Sequence, residues 1–258
     1  MKLISLNTWG GQKFEAMTRF LKDPANKAEI YCFQEMIKND SGVSEKGGYR
    51  ANLFEDVKQM LPGYKAYYYP FIDNWLPGVE VDFPIAFGQA MFVSRELEVI
   101  TEGEEFIFKQ PEGEEVDPQN GTRNLEYLEL KIGEETLWVF NYHGITLPGD
   151  KTDTPQRLEQ SKKIIEFIES RSGEKILCGD FNLDLNTESV RMIEDSGMIN
   201  LIKKFEIKDT RGPINKEKYP DDPQNYADFT FISPGITVKS FQVPQLPISD
   251  HLPMILEF

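Results

Sequence analysis

Residues 176–185 read ILCGDFNLDL. Three apolar residues run into Gly179, Asp180, Phe181 and Asn182, and a further acid, Asp184, follows. The apolar start reads as a buried strand. A turn would account for Gly, Asp and Asn one at a time. It does not account for a matching set at other strand ends. Asn7 follows LISL, Gln34 and Glu35 follow IYCF, and His143 follows WVFNY. Ser249, Asp250 and His251 precede LPMILEF, and Asp228 interrupts the apolar YADFTFI. Polar groups at strand ends can converge on one sheet edge, where a site is easily built. Both of the chain's histidines fall in this set. Asp228 inside an apolar strand is costly to bury without a partner, and a histidine provides one.

Working outward, KLISLNTW and EIYCFQE read as strands, with FEAMTRFLK between them at helical spacing and stopped by Pro24. NLFEDVKQML is a second helix, ending at Pro62-Gly63. YKAYYYPF, FGQAMFVS, GTRNLEYLELKI and ETLWVFNYH are strands, the last two joined by a Gly-Glu-Glu turn. TPQRLEQSKKIIEFIES is an amphipathic helix, with Thr154 as N-cap and Pro155 at its first position. Thr187 caps a short helix in TESVRMIEDSG, and YADFTFIS, ITVKSFQV and LPMILEF are the last strands. Neighbouring strands with short turns favour mostly antiparallel pairing. No Ser- or Pro-rich linker, low-complexity segment or short repeat divides the chain. The expectation is one α+β domain over residues 1–258, two sheets face to face with helices outside.

The chain has 258 residues, 40% of them hydrophobic, enough for a large core. No apolar run approaches the about 18 residues of a membrane span. The N-terminal apolar stretch is too short for a signal peptide. We therefore expect a cytoplasmic monomer without membrane insertion. Cys32 and Cys178 fall in buried strands and read as small hydrophobes. The formal charge is −15, without the general basic footprint of a nucleic-acid binder. Residues 96–117 hold nine acids and one lysine, the pattern of a solvated hairpin or loop. Residues 191–218 hold seven Lys or Arg against five acids, so a local basic surface is open there.

Oxygen ligands without thiolates suit a hard cation, Mg²⁺ or Mn²⁺. A metal beside phosphate, a carboxylate that orients water, an amide donor and imidazoles are what phosphoester hydrolysis needs. A zinc hydrolase would want more histidine near its metal. G-x-S-x-G, a Walker loop and G-x-G-x-x-G are all missing.

LNTW, FQE, YHG, GDFN and SDH, in this order and at these separations, resemble the endonuclease/exonuclease/phosphatase superfamily across essentially the whole chain. The resemblance implies a four-layer α/β sandwich and a Mg²⁺-dependent phosphoesterase. By the same resemblance Glu35 is the direct metal ligand, with Asn7 ligating or hydrogen-bonding the metal shell and Asp250 a carboxylate on the metal side or one layer behind its ligands. Asp180 orients or deprotonates the attacking water. Asn182 donates to a phosphate oxygen, and His251, oriented by Asp228, sits on the scissile phosphate. His143 contacts phosphate or helps the leaving group. Arg123 and Arg211 are candidates to grip phosphate. Trp75 is a candidate to stack a base or sugar. The leading expectation is a nuclease or nucleic-acid-end phosphodiesterase acting on DNA or RNA ends. The alternatives are a small sugar, inositol or lipid-headgroup phosphoester, and a binding module on an inactive scaffold.

Overall fold

A computed structural model describes residues 1–108, 121–220 and 224–258. In chain order the strands and helices are β1 (Lys2–Asn7), α1 (Phe14–Lys22), β2 (Ile30–Lys38), α2 (Leu53–Met60), β3 (Tyr64–Asp73), β4 (Ala86–Ser94), β5 (Glu98–Phe108), β6 (Arg123–Ile132) and β7 (Glu135–His143). There follow α3 (Pro155–Glu169), β8 (Glu174–Asp180), α4 (Glu188–Asp195), β9 (Ile199–Asn200), α5 (Leu201–Lys204), α6 (Pro213–Lys218), β10 (Asp228–Ile232), β11 (Ser240–Gln242) and β12 (Met254–Glu257). They form two six-stranded sheets, ordered β11-β12-β1-β2-β4-β3 and β5-β6-β7-β8-β10-β9.

Each sheet contains one parallel pair among antiparallel neighbours: β1 with β2, and β7 with β8. Parallel strands need a crossover, and the connections run through α1 and α3. The carboxyl ends of both parallel pairs therefore carry the polar strand ends noted above. The register sets Asn7 beside Gln34 and His143 beside Asp180. Gly179 permits the second pairing. Its φ is 137°, and a Cβ there would lie 2.0 Å from the Tyr142 carbonyl oxygen.

Strand alternation splits the core into layers. Leu3, Ile30 and Cys32 face the second sheet, among Leu125, Phe140 and Cys178. Ile4, Leu6, Tyr31 and Phe33 face the other way, onto Met17 and Phe20 of α1 and Leu53 and Val57 of α2. Ile164 and Ile168 of α3 and Val190 and Ile193 of α4 are buried against the second sheet. Both cysteines are free and buried. No described helix is long and apolar enough to cross a membrane.

Thr154 and Thr187 both cap their helices, accepting from the N–H of Arg157 and Val190. The acidic stretch takes the hairpin form of its two expected ones, with β5 an edge strand paired antiparallel along β6; its residues 109–117 lie outside the described residues. ITVKSFQV yields only three strand residues, since its partner β12 is four residues long and a turn closes Ile236 onto Ser233. Within the basic stretch Arg191, Lys203, Arg211 and Lys216 each pair with a carboxylate, while Lys204, Lys208 and Lys218 are exposed and form no ion pair among the described residues.

A buried polar seam joins the sheets beneath the strand ends. Gln34 Nε2 donates to Asn141 Oδ1 at 2.6 Å, and Asn141 Nδ2 donates to Glu126 Oε2 at 2.9 Å. Glu126 Oε1 accepts from the Met91 N–H at 3.0 Å. Burial pushes the Glu126 carboxyl well above its usual range, Asn141 and Met91 opposing the shift. Asn141→Ala strands donor and acceptor on both sides of the seam. It should lower unfolding free energy by about 2–4 kcal/mol, read from urea denaturation at constant m-value; a loss under about 0.5 kcal/mol would remove the seam as a structural tie.

Candidate active site

Asn7 ends β1 and its side chain reaches both sheets. Nδ2 donates to Glu35 Oε1 at 3.0 Å and to Asp180 Oδ2 at 2.9 Å. Oδ1 accepts from the Trp9 N–H at 2.9 Å. Two carboxylates on one side and an N–H on the other fix which amide atom is which. Asn7 is thus a donor that spaces two acids, and its oxygen is engaged by the Trp9 N–H.

Glu35 lies at a β-bulge: Gln34 pairs with Gln89 and Met36 with Gly88, leaving Glu35 unpaired at φ 57°. Such a bulge re-aims a side chain. Burial raises the Glu35 pKa to about 7, and the charges of Asp250 and Asp180 add to the shift. A crowded, all-oxygen carboxylate group of this kind fits a hard cation. Asp250 accepts from Arg211 Nη2 at 3.2 Å and lies 3.3 Å from Ser249 Oγ. One ligand atom each of Asp180, Asp228 and His251 also lie within 4.8 Å of one another. Asp228, however, commits both oxygens to His251 Nδ1, at 3.0 and 2.8 Å. Glu35 is therefore the better-placed ligand.

Asp180 is buried at the end of β8. Its Oδ1 accepts from the Asn182 N–H at 2.9 Å, and its Oδ2 is 3.7 Å from His143 Nε2 and 3.6 Å from His251 Nε2. Burial opposes its charge, but His251, His143, Lys151 and Arg211 outweigh burial and hold the carboxyl well below its usual range. His143 goes the other way. Burial lowers its pKa to about 3 although Asp180 favours the cation, and its Nδ1 is buried without a partner among the described residues. Its ring is neutral at physiological pH.

His251 receives a hydrogen bond at Nε2 from Arg211 Nη1. With Nδ1–H on Asp228, this geometry is a neutral imidazole. Burial and Arg211 work against a charge there, yet Asp228, Asp180 and Asp250 raise the pKa above its usual value. Displacing the guanidinium frees Nε2 for a proton. The expected Asp228–His251 pair thus forms. Arg211 stands in the site as expected, but engaged with His251, Asp250 and Asn215.

Asn182, at φ 53°, donates from Nδ2 to the Gly144 carbonyl at 3.2 Å, and its Oδ1 accepts from Lys151 Nζ. The amide expected to face phosphate is turned to protein partners. Arg123 is buried over the Phe71 ring at 4.7 Å, with donors on the carbonyls of Gly144 (3.2 Å) and Thr122 (2.9 Å). It acts first as a clamp on the chain beside the site. Trp75 packs edge-on against Phe87 at 5.5 Å and lines the cavity.

Glu35, Asp180, Asn182, Asp250 and both histidines line a cavity of about 250 Å³, with the aromatics Trp9, Tyr49, Trp75 and Tyr219 among its walls. Sequence reasoning missed Lys151, Lys218 and three of those aromatics, Trp9, Tyr49 and Tyr219. Lys218 Nζ lies 5.1 Å from the Trp9 ring and 5.2 Å from the Tyr219 ring. Only Trp9, in LNTW, sits within a motif; the others are on loops and a six-residue helix with no pattern to mark them.

The sign of the Glu35 shift makes a test. An unfolded Glu35 ionises near 4.5, a folded one near 7. Below 4.5 both states are protonated and the site costs nothing; above 7 the metal-free fold carries the full penalty. Metal-free Glu35→Gln should match wild type at pH 4 and exceed it by roughly 1–3 kcal/mol at pH 8, a range discounted because Glu35 is partly exposed. Equal pH dependence of the two melting curves in EDTA would place the acid outside this cluster.

A family model described as "Endonuclease/Exonuclease/phosphatase family" matches residues 4–251. Among the curated proteins compared, none matches. Solved structures do. The mannosyl-6-phosphatase of Bacteroides thetaiotaomicron VPI-5482 is 17% identical at a TM-score of 0.74, over 100% of this chain and 98% of its own. A humanized D. rerio TDP2 is 12% identical at 0.68, over 99% and 97%. Caenorhabditis elegans TDP2 is 19% identical at 0.65, over 99% and 95%. At these identities the likeness is one of fold.

Proposed function

Because the chain belongs to the endonuclease/exonuclease/phosphatase family, we propose that it is a Mg²⁺- or Mn²⁺-dependent phosphoester hydrolase, one catalytic unit over residues 1–258. In it water attacks phosphorus in line with the leaving oxygen. One observation carries the reading. Asp180 is kept ionised between two imidazoles and shares the Asn7 amide with Glu35, the acid best placed to hold a cation.

Glu35 would hold the ion, with Asp250 beside it and Asn7 fixing the carboxylate. When bound, the cation supplies positive charge against the phosphate and leaving oxygens. Asp180 does the rest of the positioning. Its low pKa keeps it ionised throughout the neutral range, so it orders a water by hydrogen bonding and receives the proton as the water attacks. His251 donates from Nε2 to an equatorial oxygen once substrate displaces Arg211, and the freed guanidinium pairs with the same phosphate. Neutral His143 offers a hydrogen bond rather than a proton.

The cavity supports a small phosphoester as substrate. About 250 Å³ accommodates a phosphate with one ring. The four aromatic walls suit the flat face of a sugar or base. The mannosyl-6-phosphatase, by its name, acts on a phosphorylated sugar, which supports a phosphosugar here. The same walls would stack a terminal base, so a nucleic-acid end is the second reading. A long duplex does not fit the charge of −15.

Asp180→Asn should cut kcat by at least about 10³-fold with an unchanged melting temperature. Wild-type turnover in that variant would remove Asp180 from the chemistry. EDTA should abolish hydrolysis and Mg²⁺ or Mn²⁺ restore it; full turnover in metal-free buffer would sink the scheme. Oligonucleotide binding by Asp180→Asn, across a salt series at fixed Mg²⁺, tests both small-substrate readings against a long duplex. The expected slope corresponds to about one to three phosphate contacts, and six or more would restore a duplex nuclease.

A further inference from the structure

Lys151 belongs to none of the five sequence motifs, yet the fold is built around it. It is 5% exposed. Its backbone sits at φ 61°, a conformation a non-glycine residue adopts at a cost. The loop carrying it is strapped from three sides. Arg157, buried in the first turn of α3, donates to the carbonyls of Thr146 at 3.1 Å, Pro148 at 2.7 Å and Thr152 at 2.5 Å. The Asp184 N–H donates to the Lys151 carbonyl at 2.8 Å. Asp153 accepts from the N–H groups of Glu188 at 2.6 Å and Ser189 at 2.9 Å, at the start of α4. A solvated surface turn needs none of this.

The ammonium at the end of that loop is under-partnered. Among the described residues its hydrogen-bond acceptor is Asn182 Oδ1, and no carboxylate lies within ion-pairing distance. An ammonium has three donors. A buried cation with one neutral acceptor is costly unless an anion completes it. Lys151 also stands at a junction. It lines the reaction cavity and an adjoining one of about 280 Å³, and the two share only Thr146, Lys151, Arg211 and Tyr219.

We propose that Lys151 is a substrate-phosphate ligand that makes this site prefer doubly charged phosphate monoesters over singly charged diesters. The inference rests on the phosphoesterase reading and deepens it. A diester presents two non-bridging oxygens and one charge, which His251 and the Glu35 end of the site satisfy. A monoester presents a third terminal oxygen and a second charge, and these need another cation close by. Lys151 supplies it beside Arg211. In a diester that third oxygen carries an organic group, which would meet the ammonium instead of a hydrogen-bond acceptor.

The test uses the full chain with Mg²⁺ present. Calorimetry with inorganic phosphate compares wild type, Lys151→Met and Lys151→Arg, with melting curves to verify folding. Phosphate should bind at least about tenfold more weakly to Lys151→Met, while Lys151→Arg, which keeps the charge, stays within about threefold. Equal affinity of wild type and folded Lys151→Met overturns the inference. In parallel, kcat/KM is measured on p-nitrophenyl phosphate and bis(p-nitrophenyl) phosphate. The monoester-to-diester ratio should fall at least about tenfold in Lys151→Met and recover in Lys151→Arg. A parallel loss on both esters would make Lys151 only a prop for Asn182 and overturn the inference. Wild-type hydrolysis of neither ester would instead overturn the phosphoesterase reading, and the phosphate titration would still decide the lysine.

Discussion

Two carboxylates from different sheets share one amide nitrogen. Glu35 belongs to the first sheet and Asp180 to the second, and Asn7 Nδ2 touches both. Without a donor between them, the two acids would repel each other and Glu35 would lose its side-chain hydrogen bond. The amide cannot turn, because Trp9 N–H holds its oxygen. The Asn7 carbonyl is held in turn by Ser249 Oγ at 2.7 Å, one residue before Asp250. So the contact fixes the relative placement of four strand ends. It exists only while the sheets keep their register, which the Gln34–Asn141–Glu126 seam maintains beneath it. Packing and chemistry depend on the same few ångströms.

That convergence comes with strain. Among the described residues, six non-glycine positions have positive φ, and four of them, Trp9, Glu35, Lys151 and Asn182, line the reaction cavity. A random scatter of turns would not gather there. Like charges add to the cost, since Asp250 and Asp180 both raise Glu35. Arg211 offsets part of it by lying between His251 and Asp250. In this arrangement the guanidinium occupies His251 Nε2 and keeps that nitrogen from any other partner.

The layers, the capped helices at Thr154 and Thr187 and the polar strand ends were legible because each follows from local period or local hydrogen bonding. Asp228 was legible as a partner for a histidine because an acid buried in an apolar strand must be either paired or neutralised. Lys151 was not. A lysine after Pro-Gly-Asp reads as solvent-exposed turn, and only Arg157, six residues on, turns that loop inward. Asn182 was legible as a member of the site but not in its orientation, because Gly144 and Lys151 decide which way its amide faces. The strand β5 was hidden by glutamates whose exposure depends on its lying at a sheet edge.

Charge ties the site to its substrate on two length scales. At a distance the chain is an anion of formal charge −15, and its field opposes any long polyanion. That field is screened within about 10 Å at moderate salt. Inside the cavity the local balance takes over, with Lys151, Arg211, Lys218 and Arg123 set against Glu35, Asp180 and Asp250. A small phosphate crosses the screened region at little cost and then meets positive groups in a confined, poorly solvated space. A duplex keeps most of its phosphates outside, against the acidic surface, and gains only what one or two of them find within. Three surface cations along residues 191–218 are paired with carboxylates, whereas the buried Lys151 ammonium is held by an amide oxygen alone among the described residues.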